Sequence, residues 1–238
     1  MGKQSNRGKE AKDDVLFGSQ ARLIFKEALW DLHYLLSRNY SEKNALQTVG
    51  TRYKLTQRQI RAIQSMAASE EQLTVVKSKA VSIENLKGKD LVLDGFNVLI
   101  LLESLFSNAY LFKGLDGCYR DLSSVHGTYK KVSQTSQALD CVAGFYKKHE
   151  IGNIIWIFDK PVSNSGRIKK MIEELAVKEN LNWCVILENN ADQSIIDLQK
   201  ITVSSDAFII RNCSQWFNFI GHLIEDEKIP ATVFEVDF

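Results

Sequence analysis

Past residue 90 the chain alternates short, almost unbroken apolar runs with longer amphipathic segments, and three of the runs end on an aspartate. Asp90-Leu-Val-Leu-Asp94, Asn153-Ile-Ile-Trp-Ile-Phe-Asp159 and Ile201-Thr-Val-Ser-Ser-Asp206 carry the pattern, with apolar runs at 183–188 and 232–236 beside them. A run of four to eight apolar residues is a strand buried on both faces, as in a parallel sheet. The segments 97–111, 134–149, 168–179, 192–199 and 215–225 have helical character, and 207–211 is ambiguous. Strands alternating with helices predict an α/β fold with a parallel sheet over residues 89–238. Residues 112–131, broken by Gly and Ser-Ser, are expected to form a loop.

The front of the chain has a different period. No strand signal precedes residue 73. Leu23, Ala28, Leu32, Leu35 and Leu36 recur at helical spacing, with Ile24, Phe25, Leu29 and Trp30 widening the stripe. Ser41 suits the cap of a second helix over 42–49, closed by Gly50, and Thr56 the cap of a third over 57–69. Residues 15–73 are therefore expected to form a small all-helical domain. Residues 1–14, polar and poor in apolar side chains, predict a flexible terminus, and 74–88 a linker.

Charge follows the same division. Residues 1–81 hold 14 Lys+Arg against 8 Asp+Glu, and the remainder 16 against 21. A basic unit suits polyanions, and an acidic one can gather carboxylates around a metal. Arg52, Lys54, Arg58 and Arg61 surround the third helix in a loose helix-turn-helix spacing, where such units touch nucleic acid. A plain bundle with a basic surface fits the same residues. The four Cys are scattered without a C-x-x-C pair, so a reducing, cytoplasmic setting is expected. No apolar run reaches ~18 residues, so no membrane span is expected.

The aspartates carry the chemical argument. In an open parallel sheet the carboxyl ends of the strands share one edge, where ligands bind. Asp94, Asp159 and Asp206 end strands, and Asp192 opens a helix. Each alone serves as a turn residue or cap. Together they raise one another's pKa unless a cation is present. Mg²⁺ or Mn²⁺ prefers such oxygen ligands and activates water against a phosphodiester. Gly95 lets the backbone pass close to a ligand, and Asn97 is placed to orient the neighbouring carboxylate.

Asp94-Gly-Phe-Asn97 resembles the D-G-x-N opening of NYN nucleases, a branch of the PIN-like superfamily. Phe158-Asp159, Ala191-Asp192 with Ile195, and Val203-Ser-Ser-Asp206 resemble the family's later acidic positions in order. The match covers about residues 88–235. The whole chain also resembles an uncharacterised prokaryotic family that joins a helical N-terminal domain to a PIN-like one. The resemblance implies a Rossmann-like α/β/α sandwich and metal-dependent ribonuclease activity, with Asp94, Asp159, Asp192 and Asp206 as ligands. The segment 112–131 departs from a minimal NYN domain.

Substrate contacts are expected from two places. In 112–131, Asp116, Arg120 and Asp121 fall within one and a half helical turns, so Arg120 meets either a phosphate or an Asp. His126, Tyr129, Lys130 and Lys131 follow. After Asp159, the loop containing Ser163, Asn164, Ser165 and Arg167 suits phosphate at a helix start, or forms a plain turn and cap. The expected partner is RNA, with DNA possible and the oligomeric state open. Two other readings stay open: a nucleic-acid-binding protein without turnover, and a phosphohydrolase acting on small phosphates.

Overall fold

The computed structural model describes residues 9–123 and 129–236. Residues 1–8 of the expected flexible terminus, and His126, lie outside them. The front consists of α1 (Asp13–Leu16), α2 (Ser19–Ser37), α3 (Glu42–Arg52), α4 (Gln57–Met66) and α5 (Glu70–Lys79). Then come β1 (Leu91–Asp94), α6 (Gly95–Phe106), β2 (Tyr110–Lys113), β3 (Tyr119–Arg120), α7 (Thr135–Lys148), β4 (Ile154–Asp159) and α8 (Ser165–Glu179). The chain continues through β5 (Trp183–Glu188), α9 (Ala191–Asp197), β6 (Ile201–Val203), α10 (Ala207–Asn212), β7 (Gln215–Trp216) and α11 (Phe219–Gly221). A π-helical turn, His222–Asp226, and β8 (Thr232–Phe234) follow.

Five strands pair in the order β5-β4-β1-β6-β7, every pair parallel. Strand parity divides the core. Leu91 and Leu93 join Trp156 and Phe158 on one face, under α6, α7 and α8. Val92 and Ile157 turn to the other face, under Ala191 and Ile195 of α9 and Ile209 of α10. Both faces are thus covered by helices, which is why the strands read as continuous apolar runs.

A second sheet corrects the expected loop at 112–131. β2 and β3 form an antiparallel pair, and β8 joins β2 in parallel. The closing strand therefore leaves the main sheet. Phe112 and Phe234 from this second sheet pack with Phe17, Phe25, Leu29 and Ile63 of the helices, so the front shares its core with residues from both later segments. The 215–225 region also differs from the expected helix, because its short strand, single α turn and π turn break one period into three.

Neither the expected linker nor residues 9–14 of the expected flexible terminus are loose. α5 runs through residue 79, with capping boxes at both Thr56 and Ser69 fixing α4 and α5. Val81 donates its N–H to the Trp216 carbonyl at 2.9 Å, and Trp216 Nε1 donates to the Val76 carbonyl at 2.8 Å. On α2 the buried face is Ala21, Phe25, Ala28, Leu29 and Leu32, while Leu23, Ile24 and Trp30 are exposed. The apolar excess of this helix blurred its stripe.

Arg58 is likewise not a surface residue. Its Nε and Nη2 donate to Asp13 Oδ1 and Oδ2 at 2.5 and 2.8 Å, and its Nη1 to Glu10 Oε1 at 2.7 Å. Asp13 is fully buried, so the pair anchors α1 onto α4. Removing one partner of a buried pair strands the other charge. Arg58→Ala is expected to cost about 3 kcal/mol or more of stability, measured by urea unfolding. A loss near zero would show that the Asp13 charge is served by water.

Candidate active site

Register decides where the aspartates meet. Asp94 lies level with Ile157 of β4, two residues short of Asp159. On the other side Leu93 is level with Val203, so the next step sets Asp94 beside Ser204. Asp159 therefore stands two residues, about 6.6 Å, beyond Asp94 along the strand direction, while Asp206 follows the end of β6 in the turn that opens α10. Asp94 shares the parity of Val92, and Asp159 that of Ile157, so both follow the face covered by α9 and α10. Asp192 lies in the first turn of α9, and Asp206 caps α10. The four form a basin with Asp94 as its floor.

The electrostatics follow from this placement. Burial pushes Asp94 up to about 7, and the charges of Asp206, Asp192 and Asp159 push the same way. The hydrogen bond from Ser204 Oγ to Asp94 Oδ2, 2.7 Å, opposes them. Burial also raises Asp192, helped by Asp206 and Asp159. It raises Asp159 against a backbone N–H from Ala191. Asp206 Oδ1 accepts the N–H groups of Phe208 and Ile209 at 2.8 and 3.1 Å. Among the described residues no three of these carboxylates bring oxygens within 4.8 Å of one another.

The loop after β6 is held from below. Asn97 Oδ1 accepts the Ser205 N–H at 2.8 Å, so Asn97 braces this loop rather than orienting Asp94. Ser204 Oγ also accepts the Asp206 N–H at 3.0 Å, linking the first and fourth carboxylates through one hydroxyl. Sequence reasoning did not single Ser204 out; its level beside Asp94 appears only with the register. Gly95 serves packing: a Cβ there would lie 2.5 Å from the Phe158 ring.

Arg120 is a brace, not an available phosphate ligand. It donates to Asp116 Oδ1 and Oδ2 at 3.0 and 2.5 Å, to the Ser205 carbonyl at 2.8 Å and to the Ser65 carbonyl at 2.9 Å. Burial works against its charge, and the neighbouring groups together, Asp116 first among them, more than offset this. Asp116 also accepts the Cys118 N–H at 3.0 Å, and is spent inside the hairpin. Asp121 accepts from Ser104 Oγ at 2.7 Å and from the Ser123 N–H at 3.2 Å. It lines a groove with Asn97, Asp206, Gln64 and Ser65, adding negative charge beside the basin.

The loop after Asp159 is mostly self-satisfied. Asn164, at φ 73, donates its amide to the Tyr129 carbonyl at 2.7 Å. The Ser163 carbonyl accepts the Tyr129 N–H at 3.2 Å, and buried Ser165 donates to the Lys160 carbonyl at 3.2 Å. Arg167 stays exposed and lines a second groove with Tyr129, Lys130, Lys131, Asn164 and Lys170. Tyr129 is anchored to buried Glu103, which also accepts from Thr135 Oγ1 at 2.5 Å. Of the four front cations, Arg58 is buried and Arg52 lies 3.4 Å from Asp31 and over the Tyr53 ring. Lys54 and Arg61 are exposed, Arg61 one turn before Gln64 and Ser65 on α4.

Comparisons with known proteins divide the chain near the end of α5. Residues 83–222 match the family described as Domain of unknown function (DUF5616), and residues 24–79 match Protein of unknown function (DUF434). An uncharacterized protein of Methanocaldococcus jannaschii is 30% identical over 190 residues, covering 80% of this chain and 90% of that one. No solved structure matches. Neither family description names an activity. No helix among the described residues is long and apolar enough to cross a membrane.

The raised Asp94 pKa has a sign that can be measured. The folded state holds this proton up to about 7, whereas the unfolded chain releases it near the ordinary value of 3.8. Its contribution is therefore full below that ordinary value and is lost as pH rises through about 7. The span corresponds to a loss on the order of 4 kcal/mol. In metal-free buffer, urea stability should fall between about pH 4 and 7, and Asp94→Asn should flatten the slope. A slope identical in both proteins would remove Asp94 as its source.

Proposed function

We propose that this chain, which belongs to the family described as Domain of unknown function (DUF5616), is a metal-dependent nuclease that cuts RNA. One observation carries the reading. Asp94, Asp159, Asp192 and Asp206 gather at the carboxyl edge of a parallel sheet, on the face shared by α9 and α10. The ordered likeness of these positions to PIN-like nucleases of the NYN type points the same way.

The donor chemistry fits Mg²⁺ or Mn²⁺: every candidate ligand is a hard oxygen, and the upward push that neighbouring carboxylates add to burial at Asp94 and Asp192 is a repulsion a divalent cation relieves. Bound there, the ion would activate water and stabilise charge on the phosphodiester. The chain's own groups do the positioning. Ser204 fixes the Asp94 carboxylate, and Asp206 turns one oxygen to its helix while the other remains for the basin. Asn97 and Arg120 hold Ser205 from two sides.

The substrate path runs on the rim. Lys131, Arg167 and Lys170 line a groove beside the loop that follows Asp159, with buried Tyr129 in its lining and Glu174 3.8 Å from Lys170. Backbone phosphates match such a rim better than the acidic groove lined by Asp121 and Asp206. Arg61 and Lys54 remain as outlying contacts from the helical front.

Labelled single-stranded RNA, duplex RNA and DNA, each incubated with Mn²⁺ and with EDTA, test the proposal. Single-stranded RNA should be shortened with Mn²⁺, and Asp94→Asn should reduce the rate at least about a hundredfold while melting as a folded protein. RNA held but never shortened would point to binding without turnover. Neutralising Lys131, Arg167 and Lys170 should lower the salt slope of single-strand binding by roughly 0.7 per contact, about 2 in all.

A further inference from the structure

Two buried histidine nitrogens without a hydrogen bond face one carboxylate, far from the aspartate basin. His149 caps the end of α7, and His222 opens the π-helical turn. Their Nε2 atoms lie 3.7 and 3.5 Å from Glu227 Oε1. All three ligand atoms are within 4.8 Å of one another, and among the described residues this is the one such group. Both Nε2 atoms are buried without a hydrogen bond, and the His222 side chain is only 8% exposed. A tetrahedral ion with bonds of ~2.0–2.1 Å sets its ligands about 3.3 Å apart, close to these separations.

The surroundings prepare both rings. His222 Nδ1 meets Asp226 Oδ2 at 2.8 Å, a carboxylate bond that fixes the tautomer and turns the Nε2 lone pair toward Glu227. The Phe145 ring lies 4.6 Å from His149 and 5.8 Å from His222, between centroids, and Phe217 packs on His222 at 5.8 Å. The π turn is part of the arrangement. Glu227 donates its N–H to the His222 carbonyl at 3.1 Å, five residues back. That winding sets Asp226 on one nitrogen of the ring and Glu227 on the other, which a four-residue turn does not do.

We propose that His149, His222 and Glu227 bind a zinc ion, with Asp226 as the residue that positions His222. Two imidazoles and one carboxylate suit Zn²⁺ rather than Mg²⁺, whose ligands are oxygens. The site ties the end of α7 to the segment after α11. It lies on the opposite edge of the sheet from the aspartates, since His149 precedes the first residue of β4 and Asp159 ends it. Lys148 contacts the same Glu227 oxygen at 2.7 Å, but its side chain is 60% exposed and free to swing into water.

Zinc retained after chelator treatment, equimolar ZnCl₂ addition and desalting tests this directly. Wild type should keep one zinc per chain and melt at higher temperature than the stripped protein. His149→Gln and Glu227→Gln should lose both effects while their metal-free melts stay near wild type. Asp226→Asn should weaken zinc by roughly ten- to a hundredfold, and Lys148→Met should strengthen it. Co²⁺ in place of zinc should give visible bands that vanish in His149→Gln. The proposal is overturned if folded wild type retains no zinc, or if His149→Gln retains it as wild type does. Zinc lost in Asp94→Asn instead would place the ion in the aspartate basin and also overturn it; a protein without nuclease activity would leave it standing.

Discussion

One guanidinium holds three parts of this molecule in register. Arg120 donates to a carbonyl at the end of α4, to the Asp116 carboxylate inside its own hairpin, and to the carbonyl just before Asp206. A buried arginine needs its donors satisfied and its charge matched, and both are met only when the helical front, the small sheet and the loop after β6 are in place together. The position of the fourth aspartate is thus tied to the packing of a unit that contributes no acidic ligand.

The acidic basin is a strained electrostatic object built on an ordinary scaffold. Parallel pairing puts Asp94 deeper than Asp159 by two residues, and burial is the first cause of its upward shift. Ser204 returns part of that cost through its hydrogen bond to Asp94. The second cluster works by different means: its imidazoles carry no obligatory charge, so they tolerate an apolar wall of phenylalanines that a carboxylate would resist.

The main sheet was legible in sequence because its central strands are covered on both sides, which leaves unbroken apolar runs at 91–93 and 154–158. The aspartates were legible because a carboxylate that ends such a run has no apolar role. What escaped was set by distant pairing. Arg58 read as a surface cation because its partner Asp13 is 45 residues away, in a stretch that looks flexible by composition. Arg120 read as a phosphate ligand because Ser205 is 85 residues away. The hairpin strands are too short to show a period, and Phe112 looked like part of a loop. His149 and His222 share no motif spacing; only the folded chain brings them together.

The core of the helical front contains Phe234, delivered by the last strand. During synthesis at ~5–20 residues per second, α2 to α4 therefore wait on the order of ten to thirty seconds before that ring emerges. For this interval the face of Phe17 and Phe25 lacks its final cover. The nascent chain thus presents a transient apolar surface at the ribosome exit.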